Sequence, residues 1–153
     1  MRNTHKRPVE SFVVDILLFI QKLNAYATTF QDYDSFLKDE NDKFDGAMRN
    51  LELIGEALKY VLNYEPFRVL INPKWRMIVS FRNVLVHHYF GIDMDEVYSV
   101  FIDKLPEFEK EILGFIDKIK STSEFKQAVQ DALMEQRQLK HDRFINYLES
   151  LAK

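Results

Sequence analysis

An all-α bundle of four principal helices, the fourth kinked, with an additional C-terminal helix is the fold this sequence predicts, and three observations predict it. Only four glycines and four prolines punctuate 153 residues, so the uninterrupted segments are long enough for helices. Within those segments apolar residues recur at three- and four-residue steps rather than alternating. The chain is 46% apolar and has no cysteine, and one domain of this length buries enough surface to fold without a disulfide or metal staple.

The first helix is expected over about residues 9–30, where Phe12, Val13, Ile16, Leu17, Ile20, Leu23, Ala27 and Phe30 make one apolar stripe. The acidic, turn-prone run that follows holds a short helical turn around Phe36 and Leu37. A second long helix reaches about residue 64, with Phe44, Met48, Leu51, Ile54, Leu58 and Leu62 at helical spacing and Pro66 beyond its end. Gly55 in its middle costs about 1 kcal/mol against alanine, which points to a close helix crossing there. Pro73 stands near the start of a third helix, residues 74–88, and Gly91 breaks it. Asp93 followed by Glu96 is a capping-box-like pair opening a fourth helix, residues 94–120, in which Pro106 predicts a kink. A fifth helix, residues 123–152, is amphipathic through Phe125, Val129, Leu133, Phe144, Leu148 and Leu151 but polar in its middle. Residues 1–120 are therefore expected to form the bundle domain and residues 121–153 a helical extension.

Composition excludes several functions. Without cysteine there is no thiolate zinc site and no cysteine nucleophile. A net charge of −3 argues against holding nucleic acid by bulk charge, so any RNA must be bound locally. The basic start, Arg2, His5, Lys6 and Arg7, is interrupted by Pro8, Glu10 and Asp15 and lacks a small-residue cleavage site, unlike a signal peptide. The longest apolar stretch, residues 12–20, contains Asp15 and is about half a membrane span. No membrane association and a cytoplasmic location are expected. Asp39, Glu40, Asp42 and Asp45 read as charges that favour a helix start, not as a metal site. His5 and His141 read as solvated, and no cofactor is implied.

The chemistry is concentrated in the third helix. With Arg82 at zero on a wheel of about 100° per residue, Asn83 lies near 100°, His87 near 140° and Tyr89 near 340°. Met77, Ile78, Phe81, Val84 and Leu85 form the expected core stripe, while Trp75, Val79 and Val86 point among the polar groups. Apolar side chains on a polar face favour a second protein surface, most simply another copy of the same helix in a two-fold homodimer. Arginine offers a permanently charged fork for phosphate, and histidine can move a proton near neutral pH. On spacing alone the pair fits either metal-independent phosphodiester cleavage or an ordinary ion-pair helix.

The run Arg82-Asn83-Val84-Leu85-Val86-His87-His88-Tyr89, continued by Phe90-Gly91-Ile92-Asp93, resembles the signature of the HEPN superfamily and its HepT-like members. A second block, Ala47-Met48-Arg49-Asn50-Leu51-Glu52-Leu53-Ile54-Gly55-Glu56-Ala57, is similar to that family's second-helix signature. The resemblance extends over about residues 9–119. It implies a four-helix domain that dimerises to build a metal-independent ribonuclease cleft, paired with a minimal nucleotidyltransferase antitoxin. Carried onto this chain, it makes Arg82 and His87 the catalytic pair acting on RNA, Asn83 a supporting polar group, and Tyr89 the hydroxyl that the partner modifies with AMP. His88 departs from the pattern, in which a small or acidic residue is more usual, and is read as solvent-facing. The extension after residue 120 lies outside the resemblance. Arg49 and Glu52 are spaced for an i, i+3 pair, with Glu56 continuing that face. The alternative reading is a non-catalytic, nucleotide-binding adaptor of a nucleotidyltransferase.

Overall fold

The computed structural model describes residues 7–38, 42–87, 91 and 93–153, and it is all-α, with no strand among the described residues. The first helix, α1 (Val9–Ala27), is apolar on most of its circumference. Phe12, Val13, Val14, Ile16, Leu17, Leu18, Ile20 and Leu23 are all buried, as expected of a helix enclosed by its neighbours. It stops earlier than the periodicity implies. The hydroxyls of Thr28 and Thr29 donate to the carbonyls of Ala25 and Tyr26 at 2.8 and 2.6 Å, supplying acceptors in the last turn with side-chain partners. Phe30 then turns inward onto Phe36, their ring centroids 5.3 Å apart. Phe36 belongs to the short α2 (Tyr33–Leu37), which Asp32 caps by accepting from the Ser35 amide at 2.7 Å.

The long α3 (Asp42–Leu62) packs along α1 on one side and along α4 (Arg76–His87) on the other. Two 3₁₀ turns, Glu65–Phe67 and Pro73–Trp75, join them. Asn72 caps the second turn, accepting from the Lys74 amide at 3.0 Å, and donates to the Glu111 carboxylate. The third helix thus begins as a 3₁₀ turn, which removes Trp75 from the α-helical wheel. Trp75 is 2% exposed and lies edge-on to Phe108 and Phe115 at 5.6 and 5.7 Å. It is a core anchor, not a group on the polar face.

Asp93 caps α5 (Met94–Ser99), accepting from the Asp95 and Glu96 amides at 2.9 and 3.4 Å, as its position before Glu96 predicts. The disturbance expected at Pro106 takes the form of a π turn, Val100–Lys104, leading into α6 (Leu105–Ile119). Proline donates no amide hydrogen, and the widened turn before it takes up the change in register.

The C-terminal region is not the continuous helix that the spacing implies. It is a hairpin of α7 (Ser123–Leu139) and α8 (Asp142–Ala152), broken where Lys140 adopts the left-handed conformation, φ 59° and ψ 38°. Thr122 caps α7 through the Phe125 amide at 3.2 Å. His141 reaches Gln136 at 2.9 Å and lies edge-on to Phe144, so it stitches the turn although it is exposed. The hairpin packs on α1 of its own chain, with Lys22 placed over the Phe144 ring at 5.6 Å. No helix among the described residues is long and apolar enough to cross a membrane.

Candidate active site

Arg82 sits in the middle of α4 where that helix crosses α3. Gly55 makes the crossing possible: a Cβ built on it would lie 2.3 Å from the Cβ of Arg82 and 2.7 Å from its Cγ. Those atoms are the stem of the side chain, not its movable end, so the glycine seats the arginine. One residue on, Glu56 holds its head: the Glu56 carboxylate accepts from Arg82 Nη2 at 2.6 Å. The Asn83 side-chain oxygen accepts from Arg82 Nη1 at 3.1 Å. The Arg82 side chain is 26% exposed, and its Nε is buried without a hydrogen-bond partner among the described residues. A buried donor left unpaired costs about 1–3 kcal/mol. The guanidinium is thus fixed in one orientation, with donors left at its edge for an anion.

His87 is the last residue of α4. Its side chain, and the whole of His88, Tyr89, Phe90 and Ile92, lie outside the described residues, as do Asp39 and Glu40. Asn83 is one turn before His87, four residues away, so the two positions share a stripe of the helix.

The buried face of α4 is rotated from the expected one. Leu85 is 1% exposed, and Ile78 and Phe81 pack against the core, as does Val79, expected among the polar groups, but Met77 and Val84, expected inside, are 66% and 41% exposed. The cause is the crossing at Gly55, which turns α4 so that the stem of Arg82 faces α3 and two apolar residues of the assumed core stripe face outward. Val86, also 41% exposed, remains on the surface as expected. Arg49 and Glu52 form the anticipated i, i+3 pair at 3.1 Å. Glu56, expected only to extend that face, instead reaches across to α4. The signal was there: a glycine amid a helix marks where another helix comes close, and the charge beside it faces that helix.

Among the described residues, no group of three or more histidines and carboxylates is assembled that could hold a metal ion.

The family is decided by comparison over the bundle that carries this site. Residues 16–115, from within α1 through most of α6, match the family described as Ribonuclease HepT-like. The chain belongs to the HepT-like ribonuclease family, within the HEPN superfamily. The family's match covers both Gly55-Glu56 and Arg82-Asn83, and stops before the α7–α8 hairpin. Among similar proteins is one from Methanocaldococcus jannaschii named "Putative RNase MJ1380", 33% identical over 108 residues, covering 70% of this chain and 95% of the relative. A second from that organism, "Putative RNase MJ0127", is 32% identical over 123 residues, 78% of this chain and 96% of the relative. "Probable ribonuclease HepT" of Thermococcus cleftensis is 31% identical over 111 residues, 69% of this chain and 96% of its own. No solved structure matches the chain.

Proposed function

We propose that this HepT-like chain cleaves RNA without a metal ion, using Arg82 and His87, and that it is the toxin of a toxin–antitoxin pair. The observation that carries the reading is the seating of Arg82: a guanidinium fixed by Glu56 and Asn83 over Gly55, five residues before a histidine on the same helix. His87 accepts the proton of a ribose 2′-OH, and the 2′-oxygen attacks the adjacent phosphorus. Arg82 stabilises the charge that gathers on the phosphorane-like transition state. The bond to the 5′-oxygen breaks as that oxygen takes a proton from solvent, to which the His87 imidazolium returns its own, leaving a 2′,3′-cyclic phosphate and a 5′-hydroxyl. The need for a 2′-OH makes RNA, not DNA, the substrate.

Two copies of α4 facing one another would pair the Arg and His groups in one cleft, and the exposed Met77, Val84 and Val86 give such a homodimer an apolar surface to cover. A cytoplasmic partner, a minimal nucleotidyltransferase, would restrain the toxin by transferring AMP to Tyr89. Tyr89 follows Arg82 by seven residues in the sequence, and an anionic nucleotide on that phenol would obstruct a nearby phosphate site and neutralise the guanidinium.

One observation favours the adaptor reading instead. The Arg82–Glu56 pair is also what a purely structural arginine would form. Cleavage separates the two. With EDTA present, purified wild-type protein is expected to cut single-stranded RNA, and His87→Ala and Arg82→Ala are each expected to lose at least about a hundredfold in rate, the usual scale for proton transfer or a charge-stabilising group. Equal inactivity of all three would establish the adaptor. For the regulatory claim, incubation with the cognate nucleotidyltransferase and ATP should add the mass of AMP to the wild type and not to Tyr89→Phe; an adduct persisting in that variant would place the modification elsewhere.

A further inference from the structure

The α3–α4 hairpin extends the polar face well beyond Arg82. The two helices run antiparallel, because the middle of α3 meets Ile78 and Arg82 while its end, Leu62 and Asn63, lines one cavity with Asn72 and Arg76 at the start of α4. On α4, Arg76, Ser80, Asn83 and His87 are spaced by four, three and four residues and fall on one stripe. Arg76, Ser80 and Asn83 are exposed. Glu56 on α3 and Asn63, directly past its end with its amide on the Lys59 carbonyl, are seven residues apart, with exposed Lys59 between them. Both runs lead from the Arg82–Glu56 pair to the loop end of the hairpin, about 11 Å away, or two helical turns.

There they reach a cavity of about 400 Å³ whose chemistry suits a nucleotide. Arg68 and Arg76 both line it, with Asn63, Tyr64 and Glu65. Arg76 has no ion pair or side-chain hydrogen bond among the described residues. Among the described residues Arg68 pairs only with Glu65, at 3.3 Å, and the two side chains are 77% and 79% exposed, so the contact is weak enough for a phosphate to displace. Tyr64 is 38% exposed and braced edge-on by Phe67 at 4.8 Å, which leaves an aromatic surface beside the two cations. Asn72, by contrast, is occupied by the Lys74 amide and Glu111. In a chain of net charge −3, two arginines against the single carboxylate of Glu65 leave this rim locally positive beside an aromatic ring, the combination that holds single strands.

We infer that Arg68 and Arg76 form a second backbone-binding subsite for single-stranded RNA, with Tyr64 stacking on a base, a few nucleotides from the bond held at Arg82. The inference rests on the ribonuclease reading for its substrate, but its test does not require cleavage. The subsite contacts phosphates and so positions the strand without selecting its sequence.

The experiment is fluorescence anisotropy of the full chain with a labelled single strand of about eight nucleotides carrying 2′-O-methyl sugars, which cannot be cut. Arg68→Ala/Arg76→Ala is expected to weaken binding about tenfold and to lower the slope of log affinity against log salt by about 1.4, the value for two lost phosphate contacts on a single strand. Arg68→Lys/Arg76→Lys keeps the charges and should keep the slope. Tyr64→Ala should weaken binding severalfold, and Tyr64→Phe should restore it. Thermal midpoints of all variants report folding. A double alanine variant that is folded and binds with wild-type affinity and slope overturns the subsite, as does a wild type that binds no RNA. Retained RNA affinity with lost association with a nucleotidyltransferase would overturn it too, reassigning the patch to protein docking. If the wild type binds through these arginines but cuts no 2′-hydroxyl RNA, the nuclease reading fails and the subsite stands; if it cuts and the double alanine variant binds equally well, the subsite alone fails.

Discussion

At Gly55 two effects of opposite sign meet, and their sizes decide what a substitution does. Alanine in mid-helix is favoured over glycine by about 1 kcal/mol, so at an open position Gly55→Ala would stabilise the chain. Here the added carbon would lie 2.3 Å from the Arg82 Cβ, which no rotation of the arginine relieves, and forcing such a contact costs about 1–3 kcal/mol. Gly55→Ala is therefore expected to lower stability by about 1 kcal/mol, a fall in Tm of about 2–4 °C, and to reduce RNA cleavage by displacing the guanidinium. A Tm that rises instead would mean that α3 and α4 are not in contact at this point. The same residue shows how far the sequence could be read. A glycine within a helix announces a close approach, but not what approaches. That the neighbour is Arg82, and that Glu56 is its partner at 2.6 Å, depends on the relative rotation of two helices that no single helical wheel contains.

Between helices, boundaries follow local chemistry where a side chain can reach the backbone, and they escape periodicity where backbone shape alone decides. Asp93 and Thr122 cap the helices that follow them, and both are residue types that favour this position. The break between α7 and α8 has no such marker, because Lys140 takes the left-handed conformation, φ 59°, that glycine normally supplies at a helix end. The strain of that conformation is about 1–2 kcal/mol for a residue bearing a Cβ. Lys140→Gly is expected to recover part of it, raising stability by about 1 kcal/mol and Tm by about 2–4 °C. An unchanged or lower Tm in thermal denaturation would argue that residues 123–152 form one helix in solution, which is what their amphipathic pattern alone implies.

Across the whole molecule, the family-matched bundle and the α7–α8 hairpin are joined by a polar contact that should be visible in the pH dependence of stability. Glu109 of α6 accepts from Gln21 and Asn24 of α1, each at 3.2 Å. Beside this group, burial first and then the Glu109 charge push the Tyr147 hydroxyl of α8 up to about 12 from its ordinary 10. Tyr33, whose hydroxyl is hydrogen-bonded to the Asp95 carboxylate, is pushed to about 12 as well. A group whose pKa is higher folded than unfolded gives stability that is complete below the unfolded value and is lost as pH rises through the folded one. Denaturant midpoints should therefore show no loss from these two groups up to about pH 10 and fall between about 10 and 12. Tyr147→Phe should flatten that fall in part, and Tyr33→Phe/Tyr147→Phe should flatten it further. An unaltered alkaline slope in the double variant would remove both tyrosines from the account.

The sequence by itself determined the all-α class, the approximate helices of the bundle and the Arg82–His87 motif with its family, because helical periodicity, capping residues and short-range spacing are properties of neighbours along the chain. Only the tertiary structure decided which way α4 turns, that Met77 and Val84 lie outside while Trp75 lies within, that Glu56 grips Arg82, and that the hairpin closes on α1. These outcomes are set by how side chains from different helices share one volume, and a pattern read along a single helix carries no information about the shape of its neighbours.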